Sequence, residues 1–506
     1  MAETPWIPMP QGVLTGEYQA MAALIRAGTR KEISEDVQFH EFTLWGHPAA
    51  LVYVDGLADD LKLQRFILAP CLQAPPPPEG TAIEDYLKNQ VLQVGSLSDT
   101  AQLATLLSRI YGGDAALICD TVPGALIADV KGFVKRGVGQ PVNETVIVGP
   151  HEGFTESLRD NIVMIRRLMR SPALISEEMT VGQKIPTRLC LLYLDGVAAQ
   201  ETVEEMKRRI EGCNVDYVSS LGMLEQLIED KPLSLLPQAV STERPDRAVS
   251  FLAEGQILIA MENAPSVLAM PIGLMHLYHS PDDTAMRWQY GTFLRLLRLA
   301  GMLIALLLPA VYISLTMFHT EGMHLSLLTS VIESQSRVPL SLFTSMLLML
   351  LVFSLINEAG ARIPGVMGGS LSIVSGLILG QAAVDADMFS PLLIIVVAIS
   401  GLGSYAVPSF PLTLSLRIAQ FLLVLATGIA GYLGLVLGCF LLFMRIAGLT
   451  SLNYPYFAPL APHRPANPDK ILRLPIWRQR LRGYIANPFH MNRTRGAMRA
   501  WDKEDP

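Results

Sequence analysis

The feature that most constrains this chain of 506 residues is a nearly uncharged segment from Leu299 to Met444. Over the whole chain 17% of the residues are charged, against about 25% in a typical soluble domain. Within the segment the charged residues are Glu321, Glu333, Arg337, Glu358, Arg362, Asp385, Asp387 and Arg417. So long an apolar segment indicates an integral membrane protein. It argues against a secreted disulfide-stabilised domain, an ordinary soluble enzyme or a DNA-binding protein.

Five uncharged stretches divide this segment, and each is long enough for a helix to cross about 30 Å of hydrocarbon. They cover residues 299–318, 338–357, 363–384, 388–416 and 418–444. Arginines before the first stretch predict that its start is cytoplasmic, so five crossings would leave the tail outside. Residues 445–506, however, hold 11 Lys and Arg against 4 Asp and Glu, and such a basic tail is typical of the inside.

An even number of crossings removes this conflict. We predict a transmembrane helical domain over 291–445, with four full spans and one broken or re-entrant segment. The alternative is an additional turn inside 388–444, where Pro and Gly are frequent. The basic tail, 446–506, is then cytoplasmic, and we expect anionic lipid headgroups rather than nucleic acid as its partner.

The stretch 363–384 is the least lipid-like of the five, because it contains glycine pairs at GxxxG spacing that allow close helix approach. One helical face of this stretch carries Ser370, Val374, Ile378 and Gln381. This face indicates a helix that lines a polar path in an oligomer. The alternative is a tightly packed helix whose serines bond to their own backbone.

Three charged residues border these stretches and are candidates for a pore mouth or for coupling. Glu358 and Arg362 are four residues apart on one helical face, where they can form a local ion pair. Arg417 stands alone between apolar runs and is expected to extend its side chain to the interface. Two histidines and a glutamate share one loop, but their spacing is not that of a metal motif, so we expect no metal at His319, Glu321 and His324.

The first 290 residues alternate β-rich apolar runs with amphipathic helices, which predicts an α/β cytoplasmic N-domain. The pattern L-x-Y-x-D-G-x-A occurs at 51–58 and again at 191–198, so we predict two similar subdomains. We place their bounds at 36–140 and 141–290, after an N-terminal extension over 1–35. The apolar runs Ala125–Val130 and Ile257–Met261 are expected to be a second matched pair of strands.

No nucleotide-binding loop, nucleophile motif or paired-cysteine motif occurs in the sequence. The five cysteines are scattered and read as buried apolar side chains in a reducing compartment. The first residues lack the basic and apolar regions of a signal peptide. We therefore expect no enzymatic activity, no cofactor and no metal.

Four blocks of the sequence carry a family resemblance. They are Gly149-Pro-His-Glu-Gly-Phe-Thr-Glu156, Thr242-Glu-Arg-Pro-Asp246, Glu358-Ala-Gly-Ala-Arg-Ile-Pro364 and Gly380-Gln-Ala-Ala-Val384. In the N-domain the matching residues are Glu152, Gly153, Glu156, Glu243, Arg244, Pro245 and Asp246. In this order the blocks resemble the A-subunit family of spore germination receptors, the GerA family. That family includes nutrient-receptor subunits and a SpoVA-operon-encoded paralogue.

The resemblance implies a multi-pass subunit of a germinant receptor in the inner membrane of a bacterial spore, with its N-domain and tail on the core side. It implies a transporter-like B subunit and a lipoprotein C subunit as partners. It also implies a homo-oligomer, expected to be a pentamer, that forms a nutrient-gated channel for monovalent cations. Val374 or Ile378 would then be a hydrophobic gate. The alternative is a non-conducting signalling or scaffold subunit that couples the ligand-binding partner to another channel.

Overall fold

The structure, a computed structural model, describes residues 10–132, 141, 144, 149–362, 376, 380–463, 469–483, 488 and 491–493. It contains two α/β subdomains followed by a region of long apolar helices. This architecture confirms the fold class predicted from the sequence.

The first subdomain is an antiparallel five-stranded sheet with helices on both faces. Its elements are α1 (Tyr18–Thr29), β1 (Val37–Leu44), β2 (His47–Val54), α2 (Asp60–Leu63), a π-helical turn (Gln64–Leu68), α3 (Ala69–Gln73), α4 (Ile83–Tyr86), a second π-helical turn (Leu87–Val91), β3 (Leu97–Thr100), α5 (Leu103–Ile110), β4 (Ala115–Cys119) and β5 (Ala125–Ala128). The strand order is β1-β2-β4-β5-β3. Met21 and Ile25 of α1 lie in the core with Leu107 of α5, so residues 18–29 are part of this subdomain's fold.

The second subdomain repeats this plan. Its elements are α6 (Leu158–Leu168), β6 (Leu174–Val181), β7 (Thr187–Leu194), α7 (Gln200–Glu211), α8 (Leu221–Ile228), β8 (Val240–Thr242), α9 (Pro245–Glu254), β9 (Ile257–Met261), β10 (Val267–Met270), α10 (Leu274–Tyr278) and α11 (Asp282–Ala285). The order β6-β7-β9-β10-β8 is the same as in the first sheet. The two copies of the repeated pattern therefore occupy equivalent strands, β2 and β7.

The predicted second pair of matched strands is wrong. β4 and β9 occupy the central position of the two sheets, and β5 and β10 follow them. The run at Ala125–Val130 therefore corresponds to β10, and the run at Ile257–Met261 corresponds to β4. All four strands are buried along their whole length. They read as equally apolar runs, so composition does not distinguish their positions in the sheet.

Charged side chains hold the two subdomains together. Arg166 of α6 is 1% exposed and contacts Asp36, with 2.5 Å between Nε and Oδ2. The acids of the two Asp-Gly turns each reach across to the other subdomain: Asp55 pairs with Arg159 at 2.5 Å, and Asp195 pairs with Arg30 at 2.5 Å. The repeated turns therefore form reciprocal contacts at one interface.

The helical region follows directly on α11. Its elements are α12 (Trp288–Ile313), a π-helical turn (Ser314–Phe318), a 3-10 turn (Thr320–Gly322), α13 (Leu325–Ser336), α14 (Leu342–Arg362), α15 (Pro391–Tyr405) and α16 (Phe410–Ala447). The tail adds β11 (Thr450–Ser451), β12 (Tyr454–Pro455) and a 3-10 turn (Ile476–Arg478). Among the described residues α12 with its π-helical turn, α14 and α16 are long and apolar enough to cross a membrane.

α16 reverses direction at Gly431, whose backbone angles (φ 58°, ψ −136°) are not helical. The arms on either side, 410–430 and 432–447, lie against each other. A Cβ built on Gly438 would lie 2.6 Å from Leu423 Cδ2, although 15 residues of straight helix span about 22 Å. The segment 388–444 thus contains two breaks, one before α16 and one inside it.

The hairpin of α16 fixes the side on which the chain leaves the helical region. Its tip packs on the ring of Phe318, at the far end of α12. Leu412 of the first arm and Leu449, just after the second arm, are both buried in the core of the second subdomain. The tail therefore begins on the same side of the helices as the N-domain.

We predict that Gly431→Ala destabilises the protein. A Cβ at this position would lie 2.8 Å from Phe318 Cγ in a backbone conformation that favours glycine, and we expect a loss of about 1–3 kcal/mol of unfolding free energy. The measurement is the thermal unfolding midpoint in detergent. Gly222→Ala is the matched control, because nothing lies within 4 Å of its added Cβ. Equal midpoints for the two variants would contradict the reversal at Gly431.

Candidate functional site

The second subdomain, the base of α12 and the tail meet around a cavity of ≈ 270 Å³. α9 contributes Asp246 and Arg247, the α10 segment contributes His276, and the tail contributes Asp469 and Lys470. The N-domain contacts the helical region at this junction. The junction is therefore the candidate site for transmitting a signal between them.

A buried ion-pair cluster joins three chain segments at this junction. Asp283 of α11 is fully buried and binds Arg295 of α12, with 3.0 Å between Oδ2 and Nε. One helical turn later Arg298 reaches the same carboxylate at 2.8 Å. Arg295 also donates to Asp469 of the tail at 2.5 Å. Because a charge buried without its partner is costly, the cluster fixes the position of α12 relative to the second subdomain and the tail.

Two neutral histidines border the cavity beside this cluster. Burial and neighbouring cations lower the pKa of His276 to about 3 and that of His279 to about 4. His279 Nε2 lies 2.7 Å from the carbonyl oxygen of Lys470, so this nitrogen carries the proton. His276 Nδ1 accepts from the backbone N–H of Gly273 at 3.3 Å. At neutral pH both rings act as hydrogen-bonding groups and add no positive charge to the arginine cluster.

Arginines of the tail bind backbone carbonyls of the rest of the protein. Arg473 donates to Met286 O at 2.7 Å and to Thr284 O at 3.1 Å. Arg482 donates to Ala253 O at 2.8 Å, at the end of α9. The tail is therefore a strap across the junction. Because they donate to protein groups, these two arginines are not available to lipid headgroups.

The two family blocks of the N-domain lie next to each other in space. The backbone N–H of Phe154, which follows Gly153, donates to the carbonyl oxygen of Glu243 at 2.8 Å. In the second block Arg244 is 1% exposed and pairs with Asp246 at 2.7 Å between Nη2 and Oδ2. Pro245 is the first residue of α9, where a missing N–H costs nothing. The two blocks are far apart in the sequence, so the sequence alone does not show that they are neighbours in space.

The other motif residues anchor the first block to its surroundings. Glu152 forms an ion pair with Arg167 of α6. The carbonyl oxygen of Glu156 accepts from the N–H of Asn263 at 2.8 Å. These contacts are structural, and of the motif residues only Asp246 lines the junction cavity.

The residues predicted to border the membrane lie near the N-domain end of the helices. Glu358 is in the last turns of α14 and is exposed. Gln381, a predicted pore-lining residue, is also exposed but lies at the opposite end of the helices, because Ala383 packs against the cluster that contains Ile313 at the end of α12. Arg417 lies in the second turn of α16 and lines a small cavity with Ser404 and Gln420. The side chain of Arg362 lies outside the described part of the protein, as do Ser370, Val374 and Ile378.

A buried polar cluster between the helices was not identified from the sequence. Gln420 Nε2 donates to Ser400 Oγ at 2.6 Å, and Ser400 Oγ donates to the carbonyl oxygen of Ala305 at 3.0 Å. Nearby, the Tyr405 hydroxyl donates to Asn357 Oδ1. The available signal was the presence of polar residues such as Asn357 and Gln420 in otherwise apolar runs. That signal indicates burial against protein, but it does not show which residues meet.

The loop with the two histidines contacts the hairpin of α16 and the start of α13. His319 packs edge-on against Tyr432, with 6.0 Å between ring centroids, and His324 Nδ1 lies 2.9 Å from Ser326 Oγ. Among the residues that the structure describes, no group of three His, Cys, Asp or Glu side chains has the geometry to hold a metal ion.

Two carboxyl groups, Glu225 of α8 and Glu229 directly after this helix, share a partly buried site beside the tail. Burial, reinforced by the charge of Glu229, raises the pKa of Glu225 to about 7. Burial, together with the nearby charges of Glu225 and Glu229, raises the pKa of the Tyr456 hydroxyl in the tail. Glu225 is therefore close to half-protonated at neutral pH.

Comparisons with known proteins agree on one family. Residues 25–485 match a family model described as Bacillus/Clostridium GerA spore germination protein. Spore germination protein KA of Bacillus subtilis is 33% identical over 457 residues, which cover 89% of this chain and 84% of that protein. Spore germination protein B1 of the same organism is 32% identical over 453 residues, covering 87% and 92%.

One solved structure is also similar. The N-terminal domain of the A subunit of the Bacillus megaterium spore germinant receptor GerK3 is 26% identical, with a TM-score of 0.38. The match covers 52% of this chain and 97% of that one.

We predict that Asp283→Asn destabilises the protein by about 3–5 kcal/mol, because it removes the carboxylate that Arg295 and Arg298 share and leaves Asp469 alone to balance both guanidinium groups. Unfolding free energy in detergent is the measurement. Asp216→Asn is the matched control, because its partner Lys184 and Asp216 itself are 73% and 65% exposed. That variant should change stability by less than about 1 kcal/mol. Equal losses would show that the Asp283 cluster does not hold the junction.

We also predict a pH dependence from Glu225. Its pKa is raised in the folded state, so the folded protein binds this proton more tightly than the unfolded chain between the ordinary value of 4.5 and about 7. Stability from this group is present at low pH and lost as pH rises through that window, on the order of 2 kcal/mol. Glu225→Gln should flatten the decline of the unfolding midpoint between pH 5 and pH 8, whereas the exposed Glu201→Gln should not. An unchanged slope in Glu225→Gln would contradict the assignment.

Proposed function

The chain belongs to the GerA family of spore germination proteins, and from this premise we propose that it is the A-type subunit of a germinant receptor. It oligomerises in the inner spore membrane, as a pentamer, into a nutrient-gated channel for monovalent cations. Its N-domain and tail lie on the core side of that membrane. Its partners are a transporter-like B subunit, which binds the nutrient, and a lipoprotein C subunit.

The observation that carries the proposal is the buried cluster at Asp283, Arg295 and Asp469. It links the second subdomain, the first long apolar helix and the tail through buried ion pairs. Separating the partners would leave buried charges uncompensated, which is strongly destabilising. A displacement of the N-domain, driven by a partner subunit, would therefore displace α12 as well. A receptor subunit that opens a membrane path needs such a connection between its exposed domain and its helices.

The stretch 363–384 is the pore-lining element of the proposed channel. In an oligomer its face of Ser370, Val374, Ile378 and Gln381 surrounds the axis, and Val374 or Ile378 closes the path by dewetting. The pair Glu358 and Arg362 ends α14 near the N-domain and forms the cytoplasmic mouth. The net charge of the first 298 residues, with 25 Lys and Arg against 37 Asp and Glu, would concentrate cations there.

The remaining exposed basic residues of the tail would contact anionic lipid. Arg445 is exposed at the end of α16, and Arg478 is exposed in the 3-10 turn. At the cytoplasmic surface each such residue adds about 1 kcal/mol of attraction to anionic headgroups. Arg417 would act in coupling, because it lies between the polar cluster of the helices and their end at the second subdomain.

The test is K⁺ flux through the purified chain in liposomes. We expect Val374→Ala to raise the flux above that of the unmodified chain, because a smaller side chain wets the constriction more readily. Leu422→Ala is the matched control. Leu422 is 50% exposed on the first arm of α16, and this variant should leave the flux unchanged.

Absence of flux from both the unmodified chain and Val374→Ala, with the protein folded and oligomeric, would overturn the channel assignment. The chain would then be a non-conducting signalling or scaffold subunit that couples its ligand-binding partner to another channel. The strap and the buried ion pairs of the junction fit that second role equally well, since both transmit displacement without requiring a conducting path.

A further inference from the structure

The most exposed large apolar side chain of the described residues is Leu233, at 98% exposure. It lies in the loop between α8 and β8, outside both apolar cores of the second subdomain. Single exposed leucines are common on protein surfaces. The position of this one is unusual, because the loop that presents it is fixed against the ends of the α16 hairpin.

The loop is joined to both arms of α16. The hydroxyl of Ser415, in the second turn of the first arm, donates to the carbonyl oxygen of Leu235. The ammonium group of Lys231 donates to the carbonyl oxygen of Gly448, directly after the second arm. Ser415 lies about 7–8 Å along the helix from its start at Phe410. The loop therefore lies beside the first turns of the hairpin, not behind them.

Further hydrogen bonds make the loop a rigid support. Gln238 closes it, because its side chain accepts from Lys231 N at 3.1 Å and donates to Lys231 O at 2.7 Å. The backbone N–H of Ser234 donates to the same carbonyl oxygen at 2.9 Å, which makes a turn with Leu233 near its tip. The Tyr456 hydroxyl donates to Pro237 O at 2.8 Å and ties the loop to the tail. Leu233 is thus held outward by a defined backbone.

Apolar side chains of α16 are exposed at the same level. Phe410 and Leu414 of the first arm are 64% and 40% exposed, and Phe443 and Met444 near the end of the second arm are each 53% exposed. In a helix hairpin that crosses a bilayer these side chains face lipid, and the boundary of the hydrocarbon lies at their level. Leu233 continues this apolar belt on the side of the second subdomain.

We propose that the loop 229–237 docks into the lipid bilayer that the helices cross, with Leu233 inserted at the boundary between headgroups and acyl chains. The second subdomain then contacts the membrane directly as well as through α12 and the tail. This contact resists tilting of the subdomain relative to the membrane surface. The inference rests on the proposal that α12 and α16 span a bilayer, and it adds a lipid-binding surface on the N-domain.

The experiment places an environment-sensitive nitrobenzoxadiazole label on single cysteines in the full chain, reconstituted in liposomes with or without brominated acyl chains. Cys213 and Cys439 are replaced by serine and alanine, whereas Cys71, Cys119 and Cys190 are buried and remain. The test position is Leu233→Cys. Because this side chain is almost wholly exposed, the substitution removes no packing contact.

Two further positions serve as references. Ile185→Cys is the control in water: this residue is 57% exposed in the β6–β7 turn, at the end of the sheet away from the loop. Leu422→Cys, midway along the first arm, reports hydrocarbon. We expect the label at 233 to emit at shorter wavelength than the label at 185 and to lose at least half of its intensity to brominated lipid. We expect no quenching at 185 and strong quenching at 422.

A label at 233 that behaves like the one at 185, while 422 is quenched, would overturn the inference and leave the membrane-spanning hairpin intact. A blue-shifted label at 233 that brominated lipid does not quench would also overturn it, because another protein surface would then cover Leu233. A lack of quenching at both 233 and 422 would overturn the spanning hairpin and the inference together.

Discussion

The arrangement of this protein depends on a carboxylate, Asp283, that is fully buried between two arginines of the first long apolar helix. Such a group is tolerated only where its charge is matched and its oxygens are bonded. This charge balance requires α11, α12 and the tail to be in place together, because Arg295 of α12 binds both Asp283 of α11 and Asp469 of the tail. The cluster therefore forms only when the tail, which is far away in sequence, meets the consecutive helices α11 and α12.

Among the residues that the structure describes, the second of the two similar subdomains is the one that meets the helices in this way. Its core takes in Leu412 and Leu449 from either end of the α16 hairpin, and Tyr456 from the tail. The first subdomain is attached to the second through buried Arg166 and the reciprocal pairs of the Asp-Gly turns. A force on the first subdomain thus reaches the helices through the second. The two copies of one fold therefore differ in their contacts, and the second copy is the one that bears the helices.

The hairpin at Gly431 connects the helical region with the strap. Because α16 returns to the second subdomain, the tail can cross the junction and donate from Arg473 and Arg482 to backbone carbonyls there. The basic character of the tail is thus used partly within the protein. One of its charges also meets the acidic N-domain directly, because Arg493 of the tail binds Glu254 of α9.

The sequence by itself determined the elements whose signal is local. A charge-poor segment of membrane-crossing length, a repeated strand-and-turn pattern and ordered family blocks predicted the helical region, the two α/β subdomains and the family. The tertiary structure decided which of these elements meet. Gly431 is one of many glycines in apolar helices, and nothing local distinguishes the one that reverses the chain.

The candidate site was predictable only at Asp246, because its other members come from distant segments, such as those that contain Arg247 and Lys470. Arg295 and Asp283 read as ordinary flanking charges, and Asp469 reads as one acid in a basic tail. Apolar periodicity reports that a side chain is buried, which is a property of its own segment. A buried ion pair or a helix reversal depends on two segments. Its stabilising free energy arises only when folding brings the two segments into contact.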